Sequence, residues 1–151
     1  MSTNWIVKHF DDLSASELYA LLALREEVFV LEQQCLYRDL DGLDQRCFHL
    51  LGWQGTRLVA YCRLMPAGLK YAEASIGRVV TPLDVRAQGH GRMLMRQALR
   101  FMGQYYPFED VVISAQQYLE NFYTSFGFVT ESEPYDEDGI PHIQMRWKEE
   151  F

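Results

Sequence analysis

No stretch of this 151-residue chain approaches the roughly 18 uninterrupted apolar residues that would cross a bilayer, and no basic segment leads into an apolar one near its start. It therefore reads as a cytoplasmic chain with no membrane partner. Positive charge is also scarce. Fourteen Lys and Arg stand against 21 Asp and Glu, a formal net charge of −7, so no basic face is expected for a phosphate backbone and nucleic acid is not an expected partner. The three cysteines, Cys35, Cys47 and Cys62, are odd in number and lack C-x-x-C spacing, which excludes a disulfide framework or a zinc ribbon and reads as buried, reduced thiols. Cys47 and His49 alternate on a presumed strand, but two ligands do not make a metal site. Asp39-Leu40-Asp41-Gly42 superficially suggests a calcium loop, yet aligning Gly42 to the invariant glycine puts Tyr37 and Phe48 where acidic ligands are required. No metal is expected.

What is present is a globular composition, 48% hydrophobic and 23% charged, in a length that reads as one domain over residues 1–151. Trp5 to Phe10 alternates as a first strand. Ser14 with Glu17 forms a capping box, with Leu13 and Leu18 placed as a hydrophobic staple, so a helix starts there. Its apolar stripe at 18, 21, 22, 28 and 29 is interrupted by Arg25. Residues 36–46 read as a polar loop, followed by strands at Phe48 to Gln54 and Arg57 to Met65 with a turn at Gly55-Thr56. A strand over Ala72 to Thr81 contains Gly77, an isolated glycine of the kind that marks a bulge, and Pro82 ends it. A helix over Gly89 to Met102 keeps Leu94, Ala98 and Phe101 on one side, and a strand, a short helix and two final strands complete an α/β chain with one β-α-β crossover.

Between that strand and that helix lies Val85-Arg86-Ala87-Gln88-Gly89-His90-Gly91-Arg92. Glycines at 89 and 91 leave backbone N–H groups bare, the helix points its positive end at them, and Arg86 and Arg92 add charge, which together suit a pyrophosphate. A P-loop is excluded by the absence of G-x-x-x-x-G-K-[ST], and a dinucleotide fingerprint by Leu94 where a third glycine should stand.

The remaining pattern, Arg86-x-x-Gly89-x-Gly91, resembles the acyl-coenzyme A loop of the GNAT (Gcn5-related) N-acetyltransferases. Tyr118 to Phe128, after the apolar run Val111 to Ala115, is similar to the segment that closes the cofactor site of that family, with Tyr123 matching its thiol-facing tyrosine. Leu24 to Tyr37, Asp39-Leu40-Asp41-Gly42-Leu43-Asp44 and Glu137-Asp138-Gly139-Ile140-Pro141-His142 look like the ElaA-type branch, and together these matches span nearly the whole chain.

The resemblance implies a mixed, mostly antiparallel sheet splayed at a bulge and flanked by helices. Acetyl-CoA is then the acyl donor, bound by backbone groups of Val79 and Val80, by residues Arg86, Ala87, Gln88, Gly89, His90, Gly91 and Arg92, and by Gln116, where many GNAT proteins have an asparagine. His90 is expected to contribute its N–H rather than its side chain, and Asn121 is not expected to replace Gln116. Tyr123 would protonate the departing thiolate. The amine must lose a proton, since a lysine-like amine has a pKa of about 10.4; Glu32, Glu73, His142 or a water chain among them are candidate bases. Arg25, Glu32, Gln33, Tyr37 and His142 are the expected polar lining of a substrate pocket, and Glu131, Glu133, Asp136, Glu137 and Asp138 its acidic rim, which favours a cationic amine. The expected activity is transfer of an acetyl group to a primary amine of a small molecule or peptide by direct attack in a ternary complex. Two alternatives stay open. An acyl-homoserine-lactone synthase would share the sheet and an early Arg-x-x-Val-Phe pattern like Arg25 to Phe29, and a catalytically silent acyl-CoA sensor would share the loop. Dimers are common among proteins of this resemblance, so a homodimer is a further expectation.

Overall fold

The first helix begins where its cap predicts. In the computed structural model, which describes residues 2–149, Glu17 N–H donates to Ser14 Oγ at 3.0 Å and Ser14 N–H to Glu17 Oε1 at 2.8 Å. This capping box contributes about 1 kcal/mol and opens α1 (Ala15–Arg25). The helix does not run on regularly beneath its apolar stripe: from Glu26 to Glu32 it widens into a π-helix. There the N–H groups of Gln33 and Cys35 donate five residues back, to Val28 and Val30 carbonyls, both at 3.1 Å. Wide turns of this kind recur beside functional sites.

Eight strands among the described residues form one mixed sheet: β1 (Asn4–His9), β2 (Phe48–Gln54), β3 (Arg57–Met65), β4 (Ala74–Val80), β5 (Val111–Gln116), β6 (Val129–Thr130), β7 (Tyr135–Glu137) and β8 (Ile140–Trp147). The order is β1-β2-β3-β4-β5-β8-β6, with β7 also on β8. The β2–β3 hairpin turns at Gly55-Thr56 as expected. The chain ends in three strands rather than two, because the segment after the short helix α3 (Glu120–Thr124) pairs with β8 in two separate pieces.

Side chains alternate across a strand, and both faces of β2 and β3 are covered. Leu50, Cys62 and Leu64 pack with Leu94, Ala98 and Met102 of α2 (His90–Tyr105), while Leu51 and Tyr61 pack with Leu21, Leu24 and Val28 on the opposite face. All three cysteines are buried and free.

The feature that positions the site is a parting of strands. β4 and β5 run parallel but pair only at Ala74↔Val111 and Ser75↔Val112. Beyond that β4 stays with β3 as far as Val80↔Tyr61, and β5 stays with β8 as far as Gln116↔His142. A bulge re-aims β4 at the same point, though its extra residue is not Gly77 as the sequence suggested. Arg63 lies opposite Gly77 and Tyr61 opposite Val80, so Arg78 and Val79 together face Cys62. Arg78 takes the left-handed φ of +52°. Gly77 answers a packing need instead, since a Cβ there would come within 3.1 Å of Met65 Cε.

Arg78 is held in that conformation by the polar loop. Its Nε donates to Asp39 Oδ1 and its Nη2 to the Asp39 carbonyl, each at 2.8 Å. Arg25 Nε donates to the other Asp39 oxygen at 2.8 Å, and Arg63 spans both Asp41 oxygens at 2.8 and 2.7 Å. Asp44 accepts from Arg25 and Arg63 alike. The two aspartates that mimic a calcium loop, with Asp44, therefore hold three arginines from α1, β3 and β4. Charge balance among buried groups is required, because an unpaired one costs several kcal/mol. Burial alone would raise the pKa of Asp41 and of Asp44, but the hydrogen bonds from Arg63 and Arg25 outweigh it and hold both below the usual carboxylate range.

Candidate active site

Where β4 and β5 part, a cavity of about 920 Å³ opens, walled by Ile76 to Val80 on one side and Ile113 to Gln116 on the other. The acidic rim aside, the residues singled out in the sequence for cofactor, catalysis or substrate all border it except Arg25, Glu73 and Gln88. Arg25 is 0% exposed and committed to Asp39 and Asp44, so it fixes the loop and does not line a substrate pocket.

Ile113 and Ala115 point into the α2 face of the sheet, as do Ile143 and Met145. By alternation, Ser114, Gln116 and His142 face the α1 side. The cavity thus passes through the opening in the sheet, with different chemistry on each face.

On the α2 face lies the glycine cradle. Gly89 caps α2 with φ +86°, and a Cβ on it would meet nothing within 4 Å. The first turn of α2 therefore presents bare N–H groups and the positive helix end to open space, which fits an anionic group. The His90 side chain is 5% exposed and borders the cavity, and both its ring nitrogens are buried with no hydrogen-bond partner among the described residues. Arg92 lies over the Phe122 and Phe126 rings at 5.8 and 5.3 Å, tying the cradle to α3. On the same face Tyr123 is 6% exposed, edge-on to Phe122 and Phe128. Burial pushes its hydroxyl well above the ordinary tyrosine range, so it stays protonated. Asn121 is exposed and does not border the cavity.

Two candidate bases are committed elsewhere. Arg86 Nη1 and Nη2 donate to the two Glu32 oxygens at 2.6 and 2.9 Å, and Arg86 also donates to the Thr81 carbonyl. Glu32 and Arg86 both border the cavity and bridge the π-helix to the cradle. Glu73 is paired with Arg146 and lies away from the cavity. Glu131 also pairs with Arg146, and of the five expected rim acids only Glu137 and Asp138 border the cavity.

His142 remains. Its Nδ1 lies 2.7 Å from the Ile140 carbonyl and must be the donor there, and its Nε2 lies 3.1 Å from Glu137 Oε2. Nε2 and the Glu137 carboxylate thus face each other across the cavity wall, two groups able to take up a proton. Ser114 Oγ donates to the other Glu137 oxygen at 3.3 Å and lies 2.6 Å from the Tyr135 hydroxyl. The sequence shows Glu137 only as part of a rim; its contact with His142 arises from the β7–β8 pairing, for which three residues of strand give little local signal.

A family profile described as an acetyltransferase (GNAT) domain matches residues 11–149. The chain belongs to the GNAT family. It is 44% identical over 143 residues to ElaA of Escherichia coli, covering 93% of this chain and 94% of that protein, and 44% identical over 146 residues to a UPF0039 protein of Synechocystis, covering 96% and 95%. Among solved structures, an acyl-CoA N-acyltransferase from Pseudomonas aeruginosa superposes with a TM-score of 0.93 at 44% identity, covering 97% of this chain and 99% of that one. The splayed mixed sheet is thus the GNAT acyl-CoA N-acyltransferase fold, as the sequence implied, and the family supports acyltransferase activity. An acyl-homoserine lactone synthase solved with an acyl-CoA shares the fold at a TM-score of 0.73 and 17% identity. The described residues contain no group of three or more potential metal ligands and no helix long and apolar enough to cross a membrane.

Proposed function

We propose that this GNAT protein transfers an acetyl group from acetyl-CoA to a primary amine of a small molecule or peptide, by direct attack with both substrates bound. One observation carries the reading: the cradle of Gly89 to Arg92, the unpaired edge of β4 and the Tyr123 side chain all border a single cavity that continues through the sheet to His142 and Glu137.

The residues present fit an acyl-CoA. The α2 N-terminus would hold the pyrophosphate, Val79 and Val80 would hydrogen-bond the pantetheine arm as an added strand, and Gln116 offers a further amide. Acetyl-CoA supplies an acyl carbon activated by its thioester. A backbone N–H near Val79 would stabilise the charge that develops on the carbonyl oxygen. As the amine nitrogen bonds to the acyl carbon and the carbon–sulfur bond breaks, the amine proton passes to the Glu137–His142 pair and the Tyr123 hydroxyl gives its proton to the leaving sulfur. Positioning supplies much of the rate. Glu32 is not assigned the base role, because Arg86 already engages both its oxygens.

Calorimetric titration with acetyl-CoA, followed by thiol release across a panel of amines, tests the proposal. Saturable binding and amine-dependent release are expected. Gly89→Val, which places a side chain at a φ of +86°, should abolish binding; unchanged affinity in that variant would reject the cradle. Binding without release from any amine would favour an acyl-CoA sensor.

A further inference from the structure

Lys70 borders the cavity from the turn between β3 and β4, yet among the described residues no carboxylate lies within ion-pair distance of it. Its Nζ lies 5.7 Å from the centroid of the Tyr71 ring. The charged groups facing it are Arg78 and Arg63, and Glu137 and Asp41 of opposite sign. Neither carboxylate is free to answer it, since Asp41 is held by Arg63 and Glu137 by His142. Arg78 has the converse surplus. Its Nε and Nη2 are spent on Asp39 and Asp41, while Nη1 bonds no group among the described residues, and Arg78 too borders the cavity.

One cation without a carboxylate partner, Lys70, and one spare guanidinium N–H, Arg78 Nη1, therefore stand at the cavity wall of a chain whose net charge is −7. Lys70 is exposed to the cavity mouth, where partial desolvation and the two arginines push its ammonium below the ordinary lysine range. The acceptor's amino group needs the opposite environment, and Glu137 with His142 supplies it beside them.

Resting on the transferase reading above, we propose that the acceptor is an amine that carries its own anionic group, a carboxylate or a phosphate monoester, seated by Lys70 and Arg78 Nη1 while its amino group faces Glu137 and His142. Lys70 is then a specificity-determining residue that takes no part in the chemistry. A simple polyamine lacks the anion and would set a cation against Lys70.

The test uses acceptors in pairs that differ by the anion: phenylalanine against phenethylamine, lysine against cadaverine, and phosphoethanolamine against ethanolamine, with thiol release from acetyl-CoA as the readout. At least one anionic member is expected to exceed its partner in kcat/KM by ~10-fold or more, as a charge-assisted contact would give. Which pair shows it separates carboxylate from phosphate. Lys70→Ala should raise KM for that acceptor with kcat within about twofold, Lys70→Arg should restore it, and acetyl-CoA affinity should not move. Lys70→Glu should invert the preference. If amines are acetylated but the members lacking the anion react equally well or better, or if the preference survives Lys70→Glu, the inference is overturned while the transferase stands. If no amine of either kind releases thiol, the transferase reading falls and this one with it.

Discussion

Arg25 and Asp44 form a charge pair shut away from water, with Arg25 Nη1 donating to Asp44 Oδ1 at 2.8 Å while Arg63 Nη1 donates to the same oxygen at 3.0 Å. Removing the carboxylate charge would leave two buried guanidinium groups short of an anion. Asp44→Asn should therefore destabilise the fold by about 3–5 kcal/mol, read from urea unfolding at pH 7. A cost below about 1 kcal/mol would mean that water reaches the pair.

The same aspartates set an acid limit. Asp41 and Asp44 ionise in the folded chain at lower pH than in the unfolded one, so the stability they lend is fully present above the unfolded value of about 4 and fades as pH falls below it. Unfolding free energy measured from pH 6 down to pH 3 should drop most steeply below pH 4. Asp41→Asn with Asp44→Asn should flatten that slope.

Tyr123→Phe removes one oxygen from a side chain already packed by Phe122 and Phe128. Loss of a general acid is expected to lower kcat by about 10²-fold or more, with acetyl-CoA affinity within about twofold. Rapid-mix thiol release and calorimetry on one preparation separate the two effects. An unaltered kcat would reduce Tyr123 to a core aromatic.

Glu32→Gln distinguishes a clamp from a base. The ion pair is about a third exposed on each side, so its contribution to stability is under about 1 kcal/mol. Its carboxylate does compete with any anion for Arg86. Acetyl-CoA should bind the variant about 3- to 10-fold tighter at low salt with kcat little changed. Turnover slowed by about two orders of magnitude would restore Glu32 as the base.

Local patterns carried the parts of the fold that were legible. The Ser14–Glu17 cap, the β2–β3 hairpin and the α2 stripe each rest on residues within four or five positions of one another. So does the cradle, because bare glycines and a helix start are adjacent in the chain. What escapes the sequence depends on distant partners. Arg25 resembles a pocket residue because its counter-ions lie 14 and 19 positions away, and Arg78 is masked as the bulge residue by the glycine beside it. Lys70 and Glu137 belong to a short turn and a three-residue strand, neither of which has a period to read.

The two rungs that join β4 to β5 make the sheet, mechanically, two half-sheets sharing a short seam. A strand-like ligand laid along Val79 and Val80 would extend that seam on one side and press on the other. Its footprint should then outgrow its contacts: amide exchange would slow along β4 and β5 together, and the angle between the halves would stiffen as a unit.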